Sequence, residues 1–170
     1  MVGYDDLVNS IIRPYRSDDY TDDDLYPDYE KHGVGFVRTD FGLRNERGLS
    51  IQCSHWTPDG HSPPPTPCVI YLHGNAGCRC DVNDILAPVL DAQFSVFAFD
   101  FTGSGRSDGA YVSLGWWERE DLKAVIAYLR TLNHVSSIAL WVGVLALAVG
   151  SHVSYAGKEH GSCDCNHACG

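Results

Sequence analysis

The residues from Pro67 to Gly77, Pro-Cys-Val-Ile-Tyr-Leu-His-Gly-Asn-Ala-Gly, restrict the fold more than any other stretch, because an unbroken apolar run passes directly into a glycine-punctuated turn. Val69–Leu72 is short and rich in β-branched and aromatic side chains, the composition of a strand covered on both faces in a parallel sheet. Gly74 and Gly77 are expected to let the chain turn tightly after it. In an open α/β sheet, ligands bind beyond the carboxyl ends of the strands, so this turn is the first candidate site.

The flanking chain supplies partners for such a strand. Two alternating runs at 35–39 and 49–56, with Asn45-Glu46-Arg47-Gly48 between them, predict an antiparallel pair. The connector from His61 to Pro67 carries four prolines and is expected to be stiff and extended, a loop before a strand and not a docking ligand. Beyond the turn, Ile85, Leu86, Val89 and Leu90 share one face of a helix over 81–91, with Pro88 in its last turn. A strand at 94–99 follows and runs into Asp100-Phe101-Thr102-Gly103-Ser104-Gly105-Arg106-Ser107-Asp108-Gly109. Ser113 is expected to cap a helix reaching about residue 133, striped by Leu122, Val125, Ile126 and Leu129 and acidic at its start, where the helix dipole favours negative charge. Trp116 and Trp117, ahead of that stripe, read as packing residues. The last strand is placed at 137–141.

Two of these motifs, in order and suitably spaced, carry a resemblance. His73-Gly74-Asn75-Ala76-Gly77 resembles the turn after the third strand of α/β-hydrolases, in particular their serine-aminopeptidase-like branch, and the loop Asp100 to Gly109 resembles the one after that family's fourth strand. The likeness covers most of residues 30–141. It implies an α/β chain with an incomplete α/β-hydrolase fold: a mostly parallel sheet, an antiparallel lead-in hairpin and flanking helices. The expected divisions are an acidic arm over 1–32, the N-terminal half of the hydrolase fold over 33–141, and an atypical tail over 142–170. The resemblance further implies hydrolysis of a small-molecule ester, amide or peptide through an acyl-serine, without a cofactor. It places an oxyanion hole at the backbone of Asn75 and Ala76, and site loops at His73, Gly74, Asp100, Gly103, Gly105 and Ser107.

The nucleophile is where the pattern departs. Gly105-Arg106-Ser107-Asp108-Gly109 satisfies G-x-S-x-G formally, yet a nucleophile elbow needs its serine on a tight strand-to-helix turn, and Ser107 lies in an extended loop before any helical pattern. Ser107 and Asp108 are therefore read as turn residues. Where the family carries its elbow, after the fifth strand, the chain reads Trp141-Val142-Gly143-Val144-Leu145-Ala146-Leu147. No serine nucleophile is identifiable there, nor are the acid and histidine of a triad. Encoded as GTC GGA GTA TTG GCG CTN, the six residues after Trp141 become Gly-Arg-Ser-Ile-Gly-Ala when one G is restored ahead of them. A frame-shifted or mis-spliced tail from about residue 142 is the expectation that follows, with a catalytically incompetent chain as its consequence. The alternative is a non-catalytic remnant that binds a small molecule or a protein.

Composition narrows the rest. The chain has 170 residues, whereas complete domains of this kind run to roughly 200–250. A net charge of −10 argues against nucleic acid or an anionic membrane as partner. The acidic start Met1-Val2-Gly3-Tyr4-Asp5-Asp6 is unlike a secretory leader, and the apolar run Ile138–Val149 is shorter than the roughly 20 residues of a membrane span, so a cytoplasmic location is expected. Seven cysteines, an odd number, read as reduced thiols, with Cys78 and Cys80 forming one cluster. The acidic arm reads as a loosely ordered, solvated segment, because Asp22-Asp23-Asp24 lacks the alternating ligands of a calcium loop. No metal is expected, since Cys163, Cys165, His167 and Cys169 are too compactly spaced for the usual zinc knuckles.

Overall fold

Residues 3–60 and 64–143 are described by the computed structural model. A helix α1 (Tyr4–Ile12) and a single 3₁₀ turn (Asp22–Asp24) precede strands β1 (Tyr29–Lys31), β2 (Val34–Arg44), β3 (Ser50–Pro58) and β4 (Thr66–Leu72). Then come a 3₁₀ turn (Arg79–Val82), helix α2 (Asn83–Asp91), strand β5 (Ser95–Phe99), helix α3 (Glu118–Thr131) and strand β6 (Val135–Val142). The strands form one sheet in the order β1-β2-β3-β5-β4-β6.

That order corrects the expectation of a mostly parallel sheet. The pairings β1·β2, β2·β3 and β3·β5 are antiparallel, and only β4·β5 and β4·β6 are parallel. The physical reason lies in the lead-in hairpin, which is no appendage. Its strands β2 and β3 are the longest in the sheet, at 11 and 9 residues, and β3 lies directly against β5, with Cys53 opposite Phe99 and Trp56 opposite Val96. A further strand escaped the sequence reading. β1 is three polar residues, Tyr-Glu-Lys, joined to β2 through His32 and Gly33, both at positive φ (53° and 77°), the backbone of a tight two-residue hairpin turn.

Period-two alternation sends neighbouring residues of the central strands to opposite faces. On one face Phe97 and Phe99 of β5, Ile70 and Leu72 of β4 and Ile51 and Cys53 of β3 pack under Leu122, Val125, Ile126 and Leu129 of α3. On the other, Val96, Ala98 and Trp56 pack under Leu86 and Leu90 of α2, together with Leu25 and Phe36. Leu25 belongs to the acidic arm. The arm is thus seated on the domain and not loosely ordered: the Trp56 indole N–H donates to Tyr26 O and Pro27 O, each at 3.2 Å, and Tyr26 N donates to the Asn83 side chain.

His55 of β3 is 2% exposed, tilted against the ring of Phe97 (centroids 5.2 Å apart) and stacked on that of His134 (6.1 Å). Burial, with a smaller contribution from neighbouring His134, pushes its pKa down from 6.5 to about 3. The folded protein therefore holds His55 neutral while the unfolded chain protonates it, so its stabilisation is complete above pH 6.5 and is lost as pH falls from 6.5 towards 3. Between pH 6.5 and 4.5 the loss is expected to be about 2 kcal/mol. Urea unfolding at the two pH values, in parallel with His55→Phe, checks this. The wild-type midpoint should drop by more than the variant's, and equal drops would assign the acid sensitivity to other groups.

Candidate active site

β4 ends at Leu72, and the next five residues make the turn on which the resemblance rests. His73 is 2% exposed, and both its ring nitrogens are engaged. Phe101 N–H donates to Nε2 at 3.0 Å, which leaves the proton on Nδ1, 2.7 Å from Gly74 O. Burial lowers its pKa, so the ring stays neutral and serves as a strut between the turn after β4 and the loop after β5. Gly77 N–H closes the turn on Gly74 O at 3.1 Å. The chain turns tightly here as expected, with neither Gly74 nor Gly77 among the residues at positive φ. A Cβ on Gly77 would instead meet the Asp81 carboxylate, and one on Gly74 would meet nothing within 4 Å.

Between these ties lie Asn75 and Ala76, half-buried and exposed respectively. Among the described residues neither backbone N–H donates a hydrogen bond, whereas Ala76 O accepts one from the Ser17 hydroxyl at 3.2 Å. Both amides stand in a braced turn at the carboxyl end of a central strand. The end of β6 lies alongside: Gly143 N–H donates to Leu72 O at 2.9 Å, and a Cβ on Gly143 would stand 3.4 Å from Gly74 N.

Asp100, at the end of β5, is fully buried and organises the neighbouring loop. Its carboxylate accepts from the Tyr20 hydroxyl (2.6 Å), Arg79 N–H (2.7 Å) and Arg106 N–H (2.9 Å). The Tyr20 hydroxyl in turn accepts from Arg79 Nε at 2.8 Å, and burial together with the Asp100 charge raises its pKa. Gly105, at φ 48°, is a glycine because a Cβ would overlap the Asp100 carboxylate. Gly103, at φ 90°, lies against the Tyr111 carbonyl in the same way. Ser107 is 1% exposed, its hydroxyl donating to Asp100 O at 2.7 Å and accepting from Gln52 N–H at 2.8 Å. A hydroxyl so committed ties the loop to β3 and has no free access for a substrate.

The residues that sequence reasoning missed are mostly those gripping this loop. Arg16 donates to three of its carbonyls, those of Gly105 (2.6 Å), Gly109 (2.8 Å) and Ser107. Arg79, buried between two cysteines, reaches Cys53 O at 2.9 Å and the Ser54 hydroxyl at 3.1 Å. Asp121 of α3 is fully buried, which raises its pKa, and it accepts from Thr102 N–H, the Thr102 hydroxyl and the Asn45 amide. Ser113 caps a turn ahead of α3 and not the helix itself: its Oγ accepts from Trp117 N–H at 2.7 Å and donates to Glu118. Trp116 and Trp117 are not core residues. They are 58% and 36% exposed, under the guanidinium groups of Arg119 and Arg47.

Asp22 pairs with Arg106 at 3.0 Å, and the Asp24 carboxylate caps its own turn through Thr21 N–H. Among the described residues no group of three or more potential ligands could hold a metal ion. The Cys163, Cys165, His167 and Cys169 set, and the tail from residue 144, lie outside the described residues. No helix among the described residues is long and apolar enough to cross a membrane.

No family model matches the chain. An uncharacterized protein of Bacillus subtilis (strain 168), YqkD, is 27% identical over 152 residues, which cover 86% of this chain and 47% of that protein. Among solved structures, the Pyrococcus furiosus esterase Pf2001 superposes with a TM-score of 0.63 at 22% identity, over 84% of this chain and 53% of the esterase. A second crystal form of it gives 0.60 at 26%, covering 80% and 51%. An acetyl xylan esterase from Paenibacillus sp. R4 gives 0.55 at 22%, covering 74% and 47%. The chain thus spans about half the length of these relatives. None of these likenesses singles out the serine-aminopeptidase-like branch. With a mixed sheet, a braced turn after β4 and esterases as structural neighbours, the chain has an α/β-hydrolase-superfamily fold.

Proposed function

We propose that residues 33–141 form the oxyanion-hole half of a serine hydrolase acting on a small-molecule ester, and that the chain of these 170 residues is not itself a competent hydrolase. The observation that carries this reading is the pair of uncommitted amides at Asn75 and Ala76, held by His73 and the Gly74–Gly77 turn and bordered by the end of β6. In acyl transfer such donors stabilise the oxyanion of the tetrahedral intermediate, and removing a single one lowers kcat by roughly 10²- to 10³-fold. The serine would have to stand just beyond β6, where this chain carries Val144 and Leu145. A site lacking its whole triad retains only the rate supplied by the oxyanion hole and by binding, several orders of magnitude below a complete one.

Incubation with a fluorophosphonate, which labels activated serines covalently, is expected to leave the chain unlabelled. Stoichiometric labelling would contradict this reading, and labelling abolished by Ser107→Ala would make Ser107 the nucleophile. The second reading, a non-catalytic binding protein, is favoured by that same absence of a serine after β6. Binding of an ester to the unlabelled chain, weakened by closing the turn with Gly74→Pro, would support it.

A further inference from the structure

We propose that the surface formed by α1 and residues 111–117 docks on a lipid surface of no net charge, such as a zwitterionic bilayer. This goes beyond the hydrolytic reading and does not rest on it. Among the described residues eleven large apolar side chains are exposed, and eight of them lie on α1, at its exit or between Tyr111 and Trp117. That concentration sets them apart from the singly scattered apolar residues of an ordinary surface. The two segments are held together: Val112 N–H donates to Ile12 O at 2.8 Å, and Arg16, just beyond α1, donates to Gly109 O at 2.8 Å.

Two observations mark this patch as one that is covered in use. α1 carries Leu7 and Ile11 one turn apart on the same face, 56% and 47% exposed, and buries none of its nine residues. A helix that short is marginal by itself in water and takes its stability from packing an apolar face. Leu114 is 53% exposed at φ 54°, a backbone region that leucine rarely adopts. The Glu118 carboxylate holds it there by accepting from Ser113 N–H and Gly115 N–H, each at 2.7 Å. An apolar side chain is thus held outward against its own backbone preference, and strain of this kind gathers where a protein makes contacts.

Charge decides among the partners. At a net charge of −10, a second copy of the chain and an anionic membrane are both repelled. A zwitterionic surface imposes no such repulsion, and the groups at the patch suit its headgroup layer. Trp116 and Trp117 have amphipathic rings of the kind that settle at a membrane–water boundary. Over them lie the guanidinium groups of Arg119 and Arg47, 4.2 and 4.7 Å from the ring centroids. In this arrangement the rings enter the apolar layer while the cations stay level with the headgroup phosphates.

The test is flotation of the 170-residue chain with vesicles of phosphatidylcholine, with vesicles of phosphatidylglycerol, and alone. The chain is expected to float with phosphatidylcholine and less with phosphatidylglycerol. Leu114→Asn should weaken that binding about tenfold, the worth of one buried leucine side chain, while asparagine accepts the backbone at this position with less strain. Trp116→Ser should weaken it too, whereas Phe94→Ser, at an exposed apolar residue just before β5, should leave it unchanged. The proposal is overturned if the wild type does not float with phosphatidylcholine, if phosphatidylglycerol binds it better, or if Leu114→Asn and Trp116→Ser bind like the wild type. A dimer in the absence of lipid that Leu114→Asn breaks would give the face to a second copy and overturn it as well. The readout involves no hydrolysis, so its failure and the failure of the acyl-transfer reading are separate events.

Discussion

Replacing Asp100 by alanine is expected to destabilise the fold by about 4 kcal/mol, a large part of the 5–15 kcal/mol that holds a typical domain together. Three donors converge on this carboxylate: the Tyr20 hydroxyl and the backbone amides of Arg79 and Arg106. Alanine leaves all three without their acceptor, the Arg79 amide in a buried position and the other two part-buried, and each buried unsatisfied group costs about 1–3 kcal/mol. It also takes away one of the negative charges that raise the pKa of the buried Arg79 guanidinium. Asp22→Ala is the contrast, because that carboxylate is 58% exposed and its ion pairs with Arg79 and Arg106 should be worth no more than about 1 kcal/mol. Chemical unfolding followed by circular dichroism compares the two. A loss at Asp100 no larger than that at Asp22 would mean the buried network is not what holds the loop.

Gly103→Ala should lose about 3 kcal/mol or more, for two reasons acting together. At φ 90° an L side chain is strained, and its Cβ would overlap the Tyr111 carbonyl and stand 3.1 Å from Val112 N. These neighbours are backbone, so relief requires moving the whole 111–112 segment, which is itself tied to the arm through Val112 N–H and Ile12 O at 2.8 Å. Gly48 separates the two causes. Its φ is 77°, but nothing lies within 4 Å of the position of a Cβ, so Gly48→Ala pays for strain alone, about 1–2 kcal/mol. Thermal or urea unfolding that placed Gly103→Ala no lower than Gly48→Ala would show that the loop yields easily.

The sheet was legible wherever a strand is a continuous apolar run. The runs around Val69–Leu72 and Val96–Phe99, and the alternating hairpin, all became strands, because their side chains report burial directly. Direction was not legible in the same way. The sheet is mixed because β3 inserts beside β5, a long-range pairing that no local pattern records. β1 went unseen because a three-residue polar edge strand has no hydrophobic signature.

The candidate site divides along the same line. The positions of His73 and Asp100 after their strands could be read from motif and order, but what each does could not. His73 is a neutral strut and Asp100 an acceptor for three donors, roles set by partners 28 and 80 residues away. The arm is the clearest case. Its composition reads as a solvated acidic segment, yet Arg16 grips three carbonyls some 90 residues further along, and backbone acceptors leave no mark in a sequence.

In the proposed reading, a serine hydrolase site has its oxyanion side at Asn75 and Ala76 and lacks its nucleophile because the chain departs from the pattern after Trp141. Sequencing the gene and its transcript from the Trp141 codon onwards tests this most directly. The frame shifted by one nucleotide is expected to encode Gly-x-Ser-x-Gly immediately after that codon, followed downstream by an Asp and a His. If gene and transcript both encode Val142-Gly143-Val144-Leu145 and no other frame carries such an elbow, the hydrolase reading is contradicted and a binding role takes its place.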